Sequence, residues 1–295
     1  MNEINCFKDD LDSRKLDCNP FKFNHNLADH PSLKIENLSK IIAEMPSEKV
    51  MFSKNLNNLN KNFDNALNYD KKNLDLNEVI KAILISNSYI AVRNLEIHES
   101  FKNIFNSLIS EVSVLLRANK TGDRPIQPTL WLFIASPNVV TPLHFDRTSN
   151  FIMQIRGSKE LAVFSPKNYD IFSRIETEAY MDRTGDLTSW SEEIDHHAKK
   201  FNFKSGEAVH IPFTSGHYVK NGSEDISITL SFFFHSDETL CWSEAMIMNH
   251  RLRRVGIQTR AVGQSIVVDS LKSRFFPAMN SAVNAARKIR DKKLS

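Results

Sequence analysis

From Thr129 to Ser236 the chain breaks into short β-rich runs, and this block limits the fold more than any other feature. The runs "TLWLFIAS", "PLHFDR", "NFIMQIRG", "KELAVFS", "KFNFKSG", "EAVHIPF", "HYVKNG" and "ISITLSFFFHS" are separated by Pro, Gly, Ser and Asn turns. Many short antiparallel strands this close in sequence satisfy their edges by closing into a barrel or jelly roll. "RGSK" at 156–159 reads as a tight hairpin connection. The predicted fold is mainly β with flanking helices, built on a double-stranded β-helix (jelly-roll) core over residues 129–236.

The flanks have a different character. Residues 1–33 are polar and read as a loosely held N-terminal arm, punctuated by Pro20 and Pro31. Residues 34–128 form a helical and strand flank. From Ser32 to Met45 the spacing of Leu33, Ile35, Leu38, Ile41 and Ile42 suits a short amphipathic helix, "VMFS" suits a strand, and "NLNNLNKNFDNALNYDKKN" suits a loop. A helix is expected from Leu76 to about Ser86, and a buried strand at "SYIAVRNL", 88–95. Phe101, Ile104, Phe105, Leu108, Ile109 and Val112 recur at helical spacing within 98–119. Residues 237–295 return to helix, with breaks expected at Gly256, Gly263 and Pro277.

Composition excludes several classes. Hydrophobic residues make up 41% and charged residues 25%, as in an ordinary globular chain. A net charge of +3 is too mild for a nucleic-acid binder, and the basic "RLRRVG" and "RKIRDKK" read as solvated helix faces. No apolar run approaches the roughly 20 residues that span a bilayer. The charged start "MNEINCFKDDLDSRK" lacks a signal-peptide core. Cys6, Cys18 and Cys241 are too scattered for a disulfide framework, and a reducing cytoplasm is the reading they favour.

Inside the β block, His144 and Asp146 flank Phe145. Alternate strand residues share a face, so both polar groups point into whatever that face encloses. Burying them is costly without a partner. His217, in a later run of the same block, supplies one. Two histidines and one carboxylate on one barrel rim form the facial triad that holds Fe(II) and leaves positions open for ligands. Lys159 opens the strand after "RGSK" and is expected to pair across toward the His144 strand. A cation inside a barrel suits a carboxylate ligand, with Thr141 and Asn150 adding hydrogen bonds. The competing reading of Lys159 is a charge that guards a sheet edge. His210 reads as a packed core histidine, and the neighbours His196 and His197 are poorly placed to share one ion. The polar excursion 174–203, with Trp190, reads either as a lid that folds over the substrate or as a plain surface loop.

The stretches "TPLHFDRTSNFIMQIRGSKELAVFSP", "GEAVHIPFTSGH" and "ITLSFFF" together resemble the JmjC or cupin-like Fe(II)- and 2-oxoglutarate-dependent oxygenases. The likeness is nearest to the group containing the asparaginyl hydroxylase of hypoxia-inducible factor and its bacterial relatives. That resemblance implies His144, Asp146 and His217 as metal ligands, and Lys159 as the partner of a 2-oxoglutarate carboxylate, assisted by Thr141 and Asn150. Ser231 stands where relatives often carry Asn near the cosubstrate, and "TSG" at 214–216 where they carry aromatics. The implied activity uses Fe(II), 2-oxoglutarate and O2 to hydroxylate a protein side chain or a small metabolite, releasing succinate and CO2. A homodimer through the C-terminal helices is implied as well. The reading from a different class is a non-catalytic, metal-containing binding or assembly module.

Overall fold

The computed structural model describes residues 4–54 and 88–294, with side chains as far as residue 281. The Asn-rich loop and the helix expected to begin at Leu76 lie outside the described residues. The chain forms two compact units, Met1–Ile171 with Ser189–Ser236, and Phe172–Thr188 with Asp237–Ser295. No helix among the described residues is long and apolar enough to cross a membrane.

The first unit is the jelly roll. Its strands are β1 (Phe21–Asn24), β2 (Val50–Lys54), β3 (Ser88–Val92), β4 (Ile126–Ala135), β5 (Val140–Phe145) and β6 (Ser149–Arg156). They continue with β7 (Ser158–Val163), β8 (Lys199–Lys204), β9 (Glu207–Ile211), β10 (Gly216–Asn221) and β11 (Ser227–His235). A seven-stranded sheet runs β1-β9-β6-β11-β4-β3-β2, and a four-stranded sheet runs β5-β10-β7-β8. Side-chain alternation builds two apolar layers. Leu130, Leu132, Phe151, Met153, Leu230 and Phe232 face outward and share a core with Leu38, Ile41 and Ile42 of α1 (Ile35–Glu44) and Ile104, Leu108 and Val112 of α2 (Lys102–Asn119). Ile152, Val209 and Ile211 face inward, against Leu161, Val163, Phe203 and Val219 of the smaller sheet. Each fully buried side chain of this size contributes roughly 1.5–3 kcal/mol.

The N-terminal segment corrects its sequence reading. It is not a loose arm: β1 extends the larger sheet beside β9. Cys6, Phe7, Leu16, Phe23 and Leu27 are buried in the outer core. The Phe7 and Phe23 rings both pack on Phe151, at 5.3 and 5.4 Å. Glu111 of α2 accepts from the backbone N–H of Cys6 and Phe7 at 2.6 and 2.8 Å. A few well-spaced apolar residues and one captured carboxylate hold a segment whose composition is mostly polar.

"RGSK" is likewise not a hairpin. β6 belongs to the larger sheet and β7 to the smaller one, so a single residue, Gly157, carries the chain between them. Gly157 has φ +77°, and a Cβ there would lie 2.4 Å from the Ile226 carbonyl oxygen. Gly157→Ala should therefore destabilise by about 1–2 kcal/mol from the left-handed backbone alone, with the clash adding to it. Chemical denaturation checks this, and an unchanged midpoint would contradict it.

The second unit is helical, comprising α3 (Arg174–Met181), α5 (Asp237–Arg254) and α6 (Ile266–Leu294). The short α4 (Glu192–Asp195) belongs to the first unit. Ser173 and Glu176 form a capping box that starts α3. Buried Glu178 accepts from Arg253 and Asn249, and Asp182 from Arg251, tying α3 to α5. Gly256 and Gly263 lie between α5 and α6, as expected. Pro277 does not break the chain there but sits inside α6.

Candidate metal centre

β5 and β10 are antiparallel neighbours, with His217 directly opposite His144. Their ring centroids are 4.2 Å apart. Asp146 follows immediately after β5 and turns back to the same point. Its Oδ1 lies 3.9 Å from His144 Nε2, and its Oδ2 lies 3.6 Å from His217 Nε2. The three ligand atoms fall within 4.8 Å of one another, the one such group found among the described residues.

Backbone contacts fix the orientation of both rings. His144 Nδ1 meets the Pro142 carbonyl at 2.7 Å, and His217 Nδ1 meets the Ser215 carbonyl at 3.0 Å. A carbonyl can only accept, so each Nδ1 carries a proton and each Nε2 faces Asp146, where the neutral ring offers a lone pair. Asn150 Nδ2 donates to Asp146 Oδ2 at 3.0 Å, which orients the carboxylate. Two neutral imidazoles and one carboxylate held in this way match a divalent cation in type, number and orientation. Thr214, just upstream of His217, has φ +60°. That conformation is costly for a β-branched residue and is tolerated where the surroundings impose it.

Deeper in the barrel stands Lys159, with 6% of its surface exposed. It shares the inward face of β7 with Leu161 and Val163. Burial drives its pKa down to about 7, and among the described residues it makes no hydrogen bond or ion pair. Its register differs from expectation. β10 lies between β7 and β5, so Lys159 pairs with Asn221 and Phe203, not with the His144 strand. The crossing at Gly157 is the reason. Arg156, at the end of β6, is engaged at the surface with Asp225 at 2.8 and 3.1 Å.

Thr141, Asn150 and Ser231 are all buried. Asn150 Oδ1 and Ser231 Oγ have no hydrogen-bond partner among the described residues. Buried, unmatched polar atoms are complementary to a polar ligand. Sequence reading missed Tyr89, which was absorbed into a buried strand. Its hydroxyl hydrogen-bonds with Thr141, and burial raises its pKa, with the Asp146 charge adding to the rise. The available signal was a phenol in an apolar strand, since a buried Tyr hydroxyl needs a partner.

Residues 174–203, the excursion read as a lid or a surface loop, are divided between the two units. Trp190 Nε1 donates to Asp195 Oδ1 at 3.1 Å, and the Tyr218 hydroxyl donates to the same oxygen at 2.6 Å. Tyr218 follows His217 on β10, so it faces away from the metal centre, and Trp190 packs edge-on against it. His210 is fully buried and held neutral by burial, with a pKa near 3, as a core histidine should be.

A closed pair of antiparallel sheets carrying a His-Asp-His cluster between two adjacent strands is the architecture of a cupin-type metal-site protein. The chain belongs to the cupin-like domain family, whose model matches residues 23–239. It is 31% identical over 115 residues to the JmjC domain-containing protein D of Dictyostelium discoideum. That match covers 35% of this chain and 24% of the relative, so the chain spans about a quarter of that protein. Among solved structures, the ribosomal oxygenase YcfD of Escherichia coli matches with a TM-score of 0.50 at 12% identity, over 94% of this chain and 68% of that one. The likeness at this identity is one of fold.

Proposed function

We propose that the chain is an Fe(II)- and 2-oxoglutarate-dependent oxygenase that hydroxylates a protein side chain or a small metabolite. One observation carries the reading: two imidazoles held with Nε2 toward Asp146 share a barrel with a buried lysine that has no partner among the described residues. His144, Asp146 and His217 would hold the metal. When bound, Fe(II) with 2-oxoglutarate supplies the O2 activation that oxidises a substrate C–H bond, with succinate and CO2 as co-products.

The protein's own residues do the rest. Lys159 neutralises the distal carboxylate, and Thr141, with Tyr89 behind it, adds a hydroxyl. Asn150 and Ser231 offer polar atoms between that anchor and the triad. Ile152, Leu161, Val163 and Val219 wall the interior and keep water from the reacting atoms. Two imidazoles and a carboxylate leave a divalent ion with net positive charge, which favours an anionic chelator. A structural metal in a binding module calls for a closed ligand set and gives Lys159 no role.

The test is succinate release from 2-oxoglutarate with Fe(II) and ascorbate. The wild-type protein should give slow, substrate-independent turnover that Asp146→Ala lacks. No release above background from metal-loaded wild-type protein would overturn the reading.

Self-association follows from a separate feature. Val267, Leu271 and Phe275 recur every four residues on α6 and are 69%, 50% and 63% exposed. Such a stripe is the kind of face a second copy covers. Light scattering should give a dimer, and Leu271→Glu with Phe275→Glu should give a monomer. A wild-type monomer at working concentration would contradict it.

A further inference from the structure

The N-terminal segment delivers a carboxylate, Asp17, into the jelly roll. Asp17 lies at a left-handed position, φ +54°, just after a single 3-10 turn. Its side chain is 7% exposed. Oδ1 accepts from the Ser149 hydroxyl at 2.5 Å and from the Phe213 backbone N–H at 3.0 Å. The Asp17 backbone N–H donates to His210 Nε2 at 3.1 Å, and His210 Nδ1 in turn donates to the Asn150 carbonyl at 3.2 Å.

Each of these contacts ends one step from the metal centre. Ser149 and Asn150 open β6, and the Asn150 amide orients Asp146. Phe213 begins the turn that passes through Thr214 to Ser215, whose carbonyl fixes the His217 tautomer. The turn holds Thr214 in a conformation that a β-branched residue avoids, so something must restrain it. The Asp17 carboxylate is bonded to both segments.

We infer that Asp17 is a positioning residue, holding the Asn150 strand and the Ser215 turn together so that Asp146 and His217 meet at one metal ion. This rests on the metal reading of the triad. Asp17 touches no ligand itself and acts through Ser149, the Phe213 N–H and His210. Outer partners of this kind tune metal affinity by about 10–100-fold.

Co(II) tests the inference, because its visible absorption reports ligand geometry and its titration reports affinity, both without turnover. Measured well below the unfolding temperature, Asp17→Ala should bind Co(II) about 10–100-fold more weakly and shift the visible bands. Asp17→Asn keeps an oxygen acceptor for both donors and should restore most of the affinity and the spectrum. Wild-type Co(II) affinity and spectrum in Asp17→Ala would overturn the inference, whatever its melting temperature. So would an Asn variant as weak as the Ala variant. Should Asp17→Ala fail to fold, Ser149→Ala decides, since it cuts one of the two arms. Weaker binding with the fold retained supports the inference, and unchanged binding overturns it. A failure of the metal reading looks different, because the wild-type protein would then bind no Co(II).

Discussion

His144→Ala or Asp146→Ala abolishes metal binding, and 2-oxoglutarate turnover falls to background with it. His144→Ala leaves His217 with Asp146, and Asp146→Ala leaves only the two histidines, on a rim that was built for three. His144 turns Nε2 into the site because the Pro142 carbonyl holds the opposite nitrogen. Asp146 supplies the one negative charge of the set and lies within 4 Å of both Nε2 atoms. Its removal also frees the Asn150 amide. The fold should survive, since His144 and Asp146 close the end of a strand and take no part in the apolar layers. Metal content after loading and desalting, with circular dichroism as the control, checks the prediction. Full turnover in either variant would remove the triad from the mechanism.

Lys159→Met leaves metal binding near wild type and weakens 2-oxoglutarate binding. A hydrogen bond to a charged group is worth about 1.5–3 kcal/mol, or roughly ten- to a hundredfold in affinity. The pH dependence gives the prediction a sign. Burial holds the free Lys159 amine near pKa 7, below its ordinary value of 10.5. Dianion binding requires the protonated amine, so 2-oxoglutarate affinity should fall as pH rises above about 7, and Lys159→Met should flatten that slope. Stability moves the other way. Between the folded pKa near 7 and the unfolded value near 10.5, the unfolded chain binds more protons, so this group's destabilising contribution is full below 7 and fades as pH rises toward 10.5. Lys159→Met should remove that trend too. Calorimetric titration across pH 6.5 to 8.5 would read the first effect, and a pH-independent wild-type affinity would contradict it.

Much of the fold was legible because it rests on local pattern. The alternation in "ISITLSFFFHS" and the 3.6-residue spacing from Phe101 to Val112 set β11 and α2 directly. His144 and Asp146 were legible for the same reason, since two residues apart on a strand means one face. What escaped the sequence depends on pairing at long range. Asp17 and Phe23 sit in a polar stretch, and only docking on β6 and β9 reveals their roles. Gly157 looks like a hairpin residue because a turn between strands reads the same whether the chain stays in one sheet or changes sheets. That ambiguity misplaced Lys159 relative to the His144 strand while leaving its inward direction correct. The setting of Trp190 was not legible because sequence shows an excursion without showing the Asp195 carboxylate that holds it beside Tyr218.

The triad and Lys159 are claimed to serve one site, and anaerobic calorimetric titration of 2-oxoglutarate tests that claim most directly. Fe(II)-loaded wild-type protein should bind one equivalent per chain, with affinity lost on metal removal and weakened by Lys159→Met. Equal binding with and without Fe(II), or no binding to the loaded protein, would contradict it.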